Sequence, residues 1–106
     1  MKRIELLTLA NGKEPYRDWY IDLDTTTRQK VSVYLERVAM GGAKRNIRFV
    51  GDGVFEVKID YGPGYRVYFG EEGKTIILLL LGGDKASQFR DIRQAKEYWR
   101  SYVSSR

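Results

Sequence analysis

The 106 residues include no histidine and no cysteine, so two of the most versatile reactive side chains are missing. Their absence removes the usual general base near neutral pH, the usual metal ligand, thiolate nucleophiles and disulfides. Any chemistry therefore falls to lysine, arginine, tyrosine and the carboxylates. Lysine and arginine number 19 against 14 aspartates and glutamates, a net charge of +5. That surplus permits a polyanionic partner such as nucleic acid. Many small soluble domains are equally basic, however, so placement matters more than total.

Placement can be read from a hairpin. Residues 54–60 alternate, with Phe55, Val57 and Ile59 on one face and Glu56, Lys58 and Asp60 on the other. Residues 65–69 alternate again, with Arg66 and Tyr68 on the polar side. Bringing the apolar residues together requires Ile59 opposite Tyr65, Val57 opposite Val67 and Phe55 opposite Phe69, with residues 60–64 as the loop. A slip of one residue would turn the hydrophobic set outward. In this register Lys58 faces Arg66, and Glu56 faces Tyr68. Two facing cations cost roughly 0.2–1 kcal/mol on the scale of cross-strand pairs. A phosphate held by the arginine fork and the lysine point charge reverses that sign. The alternative is two long side chains that diverge into solvent.

The segment Gly82-Gly83-Asp84-Lys85-Ala86-Ser87-Gln88 adds to the cluster. It brings Lys85, Ser87 and Gln88 to a strand end beside the hairpin. Free N–H groups at the following helix start would also favour an anion. The spacing is not that of a phosphate-binding P-loop, and a tight turn with a helix cap explains Gly82-Gly83 equally well. RNA cleavage by the 2′-hydroxyl needs a base, stabilisation of the phosphorane and an acid for the leaving oxygen. Lys58 qualifies as base only if neighbouring cations and burial lower its pKa. Arg66 and Lys85 suit the phosphate charge. Tyr68, on the polar face, is placed to stack a base or donate a proton, whereas Tyr65 reads as core. Arg45 and Arg48, with Arg28, Lys30, Arg37 and Lys44, extend a track for RNA, and Gln88 joins it. A solvated helix face and linker is the competing explanation for each, as it is for Arg90, Arg93, Lys96 and Arg100.

The elements that must hold these groups follow from periodicity. Residues 4–9 read as a strand, 14–21 as a short helix with Pro15 in its first turn, and 26–40 as a second helix. Val31, Tyr34, Leu35 and Val38 form its buried stripe, Asp24 or Thr25 caps it, and Gly41-Gly42 stops it. Residues 47–50 are a weak strand. Residues 75–81 are continuously apolar, as in a central strand covered on both faces, and Gly82-Gly83-Asp84 breaks them. A last helix spans 87–103, with Phe89, Ile92, Ala95 or Lys96, Trp99 and Val103 along one side. Trp19 and Trp99 read as core, or as cover for the core where a partner docks. Strands and helices are segregated, so the class is α+β: a strand, two helices, an antiparallel three-strand meander and a C-terminal helix. The length fits one domain over residues 1–106. The apolar run is too short to span a bilayer. The N-terminus lacks the pattern of a signal peptide, and the expected location is the cytoplasm.

The strings Glu56-Val57-Lys58-Ile59, Gly62-Pro63-Gly64-Tyr65-Arg66-Val67-Tyr68-Phe69 and Gly82-Gly83-Asp84-Lys85-Ala86-Ser87-Gln88, with Asp91-Ile92 and Ala95, resemble the phage-derived Gp49/HigB-like branch of the RelE/ParE toxins. These are also called addiction module killer proteins. The resemblance implies a RelE-like fold and a toxin that cuts mRNA, typically on the ribosome. It also implies a metal-independent endoribonuclease without cofactor, neutralised by a helix-turn-helix antitoxin that represses the shared operon. Lys58, Arg66 and Lys85 stand where the family places its basic active-site residues. Two departures are a lysine where arginine is more usual at position 58, and a looser linker at 41–44. The first keeps a cation, and the second bears on the helix-to-sheet connection. A ParE-like gyrase poison is the alternative within the superfamily, though such proteins generally lack this basic set. A non-catalytic RNA- or antitoxin-binding module is the third reading.

Overall fold

The computed structural model describes residues 1–106. In chain order the elements are β1 (Arg3–Leu6), α1 (Pro15–Ile21), α2 (Thr25–Ala39), a single 3₁₀ turn at Lys44–Asn46, β2 (Ile47–Gly51), β3 (Val54–Ile59), β4 (Tyr65–Glu72), β5 (Ile76–Gly83) and α3 (Gln88–Ser104). The α+β class stands. Local chemistry sets the helix ends: Asp24 accepts from the Thr27 backbone N–H at 2.7 Å, and Gly41 takes a φ of +87° just beyond α2. Val31, Leu35 and Val38 are buried as their spacing requires, with Tyr34 partly covered.

The sheet runs β1-β5-β4-β3-β2. The meander has four antiparallel strands rather than three, because residues 47–51 do pair with β3. The sheet is also mixed rather than purely antiparallel, since β1 lies parallel to β5. Its position explains the apolar run: β5 is internal only because β1 covers its outer edge. β5 also continues through Gly83 instead of breaking at Gly82. Between β3 and β4 the register is the one required by the alternation, with Ile59↔Tyr65, Val57↔Val67, Phe55↔Phe69, Lys58↔Arg66 and Glu56↔Tyr68.

Both sheet faces are covered. Val57, Ile59, Val67, Phe69, Ile77 and Leu79 pack under α1 and α2. Val54, Tyr68, Leu78 and Leu80 pack under α3 with Ala95. Each fully buried aliphatic side chain contributes about 1.5–3 kcal/mol. The shift of register between Tyr68↔Leu81 and Phe69↔Leu79 leaves Leu80 as the extra residue of a bulge. Leu80 shares the α3 face with Leu78 by alternation, the bulge brings Leu81 to the same face, and the two glycines beyond face opposite ways. A Cβ on Gly82 would meet the Trp19 ring at 2.1 Å, and one on Gly83 would meet the Asp91 carboxylate at 1.9 Å. These glycines are sites of close approach rather than breakers.

The buried side of α3 holds Ile92, Ala95 and Trp99 as expected but departs from expectation at its two ends. Asp91 and Ala95 face the sheet, with Ile92, Tyr98, Trp99 and Tyr102 packed beside them. Phe89 is 88% exposed and Val103 is 50% exposed. The helix is turned so that Tyr98 and Tyr102 supply contact area, while Asp91 seats against the bare backbone of Gly83 and bonds the Ser87 hydroxyl.

Candidate functional site

Where β3 ends and β4 begins, beside the start of α3, the alternation that buries Val57 and Val67 on one face sends Glu56, Lys58 and Arg66 to the other. α3 covers the middle of that face but stops short of its end. Arg66 is mostly buried, its side chain 9% exposed, yet it lines an open trough. Its Nη1 donates to the Gly64 carbonyl at 2.7 Å, and its Nε lies 3.8 Å from Glu56 Oε2. Gly64 has a φ of +80°, a conformation glycine adopts without strain, and this aims its carbonyl at the guanidinium.

Glu56 is the hub that residue spacing alone did not single out. It is buried, with Arg48 Nη2 donating to Oε1 at 3.2 Å and Gln88 Nε2 donating to Oε2 at 2.9 Å. Two donors, from β2 and α3, and the Arg66 guanidinium from β4 therefore converge on one carboxylate. One signal was available: Glu56 is the diagonal cross-strand neighbour of Arg66. Its burial depends on α3, which alternation does not reveal.

Lys58, Arg66 and Lys85 line one recess of about 290 Å³ together with the 60–64 loop. Lys85 is exposed, and Lys58 is about half exposed, its Nζ 3.8 Å from Asp60 Oδ1. The cations therefore do not diverge onto separate surfaces. A second recess of about 490 Å³ shares Lys58, Asp60 and Arg66 and adds Arg45, Arg48 and Gln88. Gln88 spends its amide on Glu56, so its observed contact is to the protein, while Arg48 remains 60% exposed. The hollow of about 440 Å³ between β1, α1 and α2 is mainly apolar and gathers no comparable set of charges.

Two expectations about this site need correction. Tyr68 is fully buried beneath α3, so it does not present its ring or hydroxyl to a substrate. Burial, and then the charge of Glu56, push its ionisation far above the usual range. The hydroxyl lies beside the Glu56 carboxylate without a hydrogen bond of good geometry. Tyr68→Phe is therefore expected to leave the trough unchanged and to alter stability by no more than about 1 kcal/mol in a urea titration. The second correction concerns the start of α3. The Ser87 N–H is taken by Asp84 Oδ1 at 3.2 Å, and Asp91 sits in the first turn. The protein's own carboxylates hold that place. Tyr65, read as core, does pack against the α1/α2 core, edge-on to Trp19 at 6.2 Å.

Comparison with known proteins agrees with this architecture of motifs. An uncharacterized protein of Haemophilus influenzae is 42% identical over 69 residues, covering 65% of this chain and 69% of that protein. Residues 18–98 match the family described as phage-derived protein Gp49-like, a span that contains every cation of the trough. The chain belongs to the phage-derived Gp49-like family, which is associated with toxin–antitoxin modules.

Proposed function

We propose that the protein is the toxin of such a module, a RelE-like endoribonuclease that cuts messenger RNA on the ribosome. In this reading a small helix-turn-helix antitoxin neutralises it. The observation that carries the reading is the convergence of Lys58, Arg66 and Lys85 on one solvent-open recess. Three cations from β3, β4 and the turn before α3 suit a phosphodiester whose charge rises as it becomes a phosphorane. Arg66 is held in place by Gly64 and Glu56, so little reorganisation is required when the phosphate arrives. Lys58 and Lys85, on flexible stems, offset the added charge and supply a proton to the departing 5′ oxygen. Arg45 and Arg48 extend the positive surface for the flanking backbone.

The test is expression in growing bacteria with mapping of mRNA 5′ ends. Codon-phased cleavage is expected from the wild type. The exposed substitutions Lys58→Ala and Lys85→Ala should each cut it about 10²-fold while moving stability by no more than about 0.5 kcal/mol. Growth arrest with intact mRNA and DNA breaks would instead identify a gyrase poison and sink the nuclease reading.

A further inference from the structure

A nuclease of this kind still needs an acceptor for the 2′-hydroxyl proton, and the trough narrows the choice. Tyr68 is buried. Glu56 has both oxygens engaged, by Arg48 on one side and by Gln88 and Arg66 on the other. Lys58, as an ammonium, offers three donors and no acceptor. Asp60 is the remaining carboxylate of the trough, and it lines both recesses.

Its geometry is defined from one side only. Asn46, in the 3₁₀ turn before β2, donates through Nδ2 to Asp60 Oδ2 at 2.9 Å and to the Lys58 carbonyl at 2.9 Å. One amide thus ties the carboxylate to the end of β3. Oδ1 accepts no hydrogen bond and lies 3.8 Å from the Lys58 ammonium. The carboxylate is mostly exposed, with its side chain 59% accessible. An oriented carboxylate with one oxygen ion-paired to a phosphate-binding cation but free of hydrogen bonds is the arrangement that proton abstraction from an adjacent hydroxyl requires.

We infer that Asp60 is the general base of the cleavage step, an assignment that rests on the nuclease reading above. Oδ1 takes the 2′-hydroxyl proton as the O2′–P bond forms. The P–O5′ bond breaks, and the 5′ oxygen is protonated by a lysine ammonium. The products are a 2′,3′-cyclic phosphate and a 5′-hydroxyl end. No oxidant or co-reactant enters.

The experiment compares purified wild type, Asp60→Asn and Asp60→Glu on mRNA-programmed bacterial ribosomes, measuring binding, single-turnover rate and the pH–rate profile. Asn at this position still accepts from Asn46, so the local structure is kept. Asp60→Asn should bind RNA as tightly as the wild type yet cleave it about 10²–10⁴-fold more slowly. It should also lose the acid limb of the profile, and Asp60→Glu should recover that limb with part of the rate. A wild type that cuts while Asp60→Asn cuts within threefold of it overturns the assignment and leaves the nuclease reading intact. Equal losses of binding and rate also overturn it, in favour of a positioning role. If the wild type leaves all RNA whole, the nuclease reading fails and the assignment falls with it.

Discussion

On the proposed nuclease reading, Arg66→Ala is expected to abolish messenger cleavage, lowering the rate by at least about 10³-fold, and to destabilise the fold at the same time. The rate effect follows from removing the trough cation that is most deeply buried and held on two sides before substrate binds. Preorganised charge of this kind accounts for factors of about 10²–10³ for each donor removed. The guanidinium offers several. The stability effect has a separate cause. Glu56 is buried, and Arg66 is one of the two cations, with Arg48, that offset its charge. Removing one partner of a buried pair costs about 3–5 kcal/mol. Arg48 and Gln88 remain in contact with Glu56, which places the expected cost at the lower end.

The two effects are separable by experiment. Adding Glu56→Gln to Arg66→Ala removes the stranded charge and should restore part of the urea midpoint without restoring any cleavage. Arg66→Lys keeps the charge but loses the planar fork that reaches Gly64 and Glu56 together. It should cleave poorly even where it is fully folded. Recovery of cleavage in step with stability in the double variant would show that Arg66 acts through the fold alone.

Gly83→Ala is the second large expectation, with a loss of about 3 kcal/mol and a fall in Tm of about 10–20 °C. Gly83 has an ordinary backbone conformation, so the cost is steric rather than torsional. An added Cβ would lie 1.9 Å from Asp91 Oδ2 and 2.9 Å from Ser87 Oγ. Neither group yields cheaply, because Asp91 is buried and hydrogen-bonded to Ser87 at the start of α3. Relief requires the first turn of the helix to move outward, carrying Lys85 and Gln88 with it. Cleavage should therefore fall even below the melting range. Removing the obstructing carboxylate in Gly83→Ala/Asp91→Ala tests the cause, since the two substitutions should be less damaging together than the sum of each alone. Additive losses would rule out the clash as the source.

Much of this was legible before any coordinates. The pairing of β3 with β4 follows from two short alternating runs and the Gly62-Pro63-Gly64 loop between them. That register alone brings Lys58 opposite Arg66. The stripe of α2 and its Asp24 cap are equally local. Other features depended on distant parts of the chain. The strand at 47–51 is short and carries no strong pattern, so only its pairing with β3 identifies it. β1 shows that it is a strand, but not that it runs parallel to β5, whose partner choice is made across the whole fold. Gly82-Gly83 reads equally well as a breaker or as a site of close approach until Trp19 and Asp91 are seen against it.

The sequence by itself determined which residues share a face, because side-chain direction in a strand repeats every two residues whatever lies beyond. It thereby determined that lysine and arginine meet across the hairpin. Only the tertiary structure decided which part of that face meets water. α3 lies across it, turning Tyr68 into core and Glu56 into a buried anchor, and leaves Lys58, Asp60 and Lys85 at the open end. A polar pattern states which way a residue points, and the element packed above it determines what it meets there.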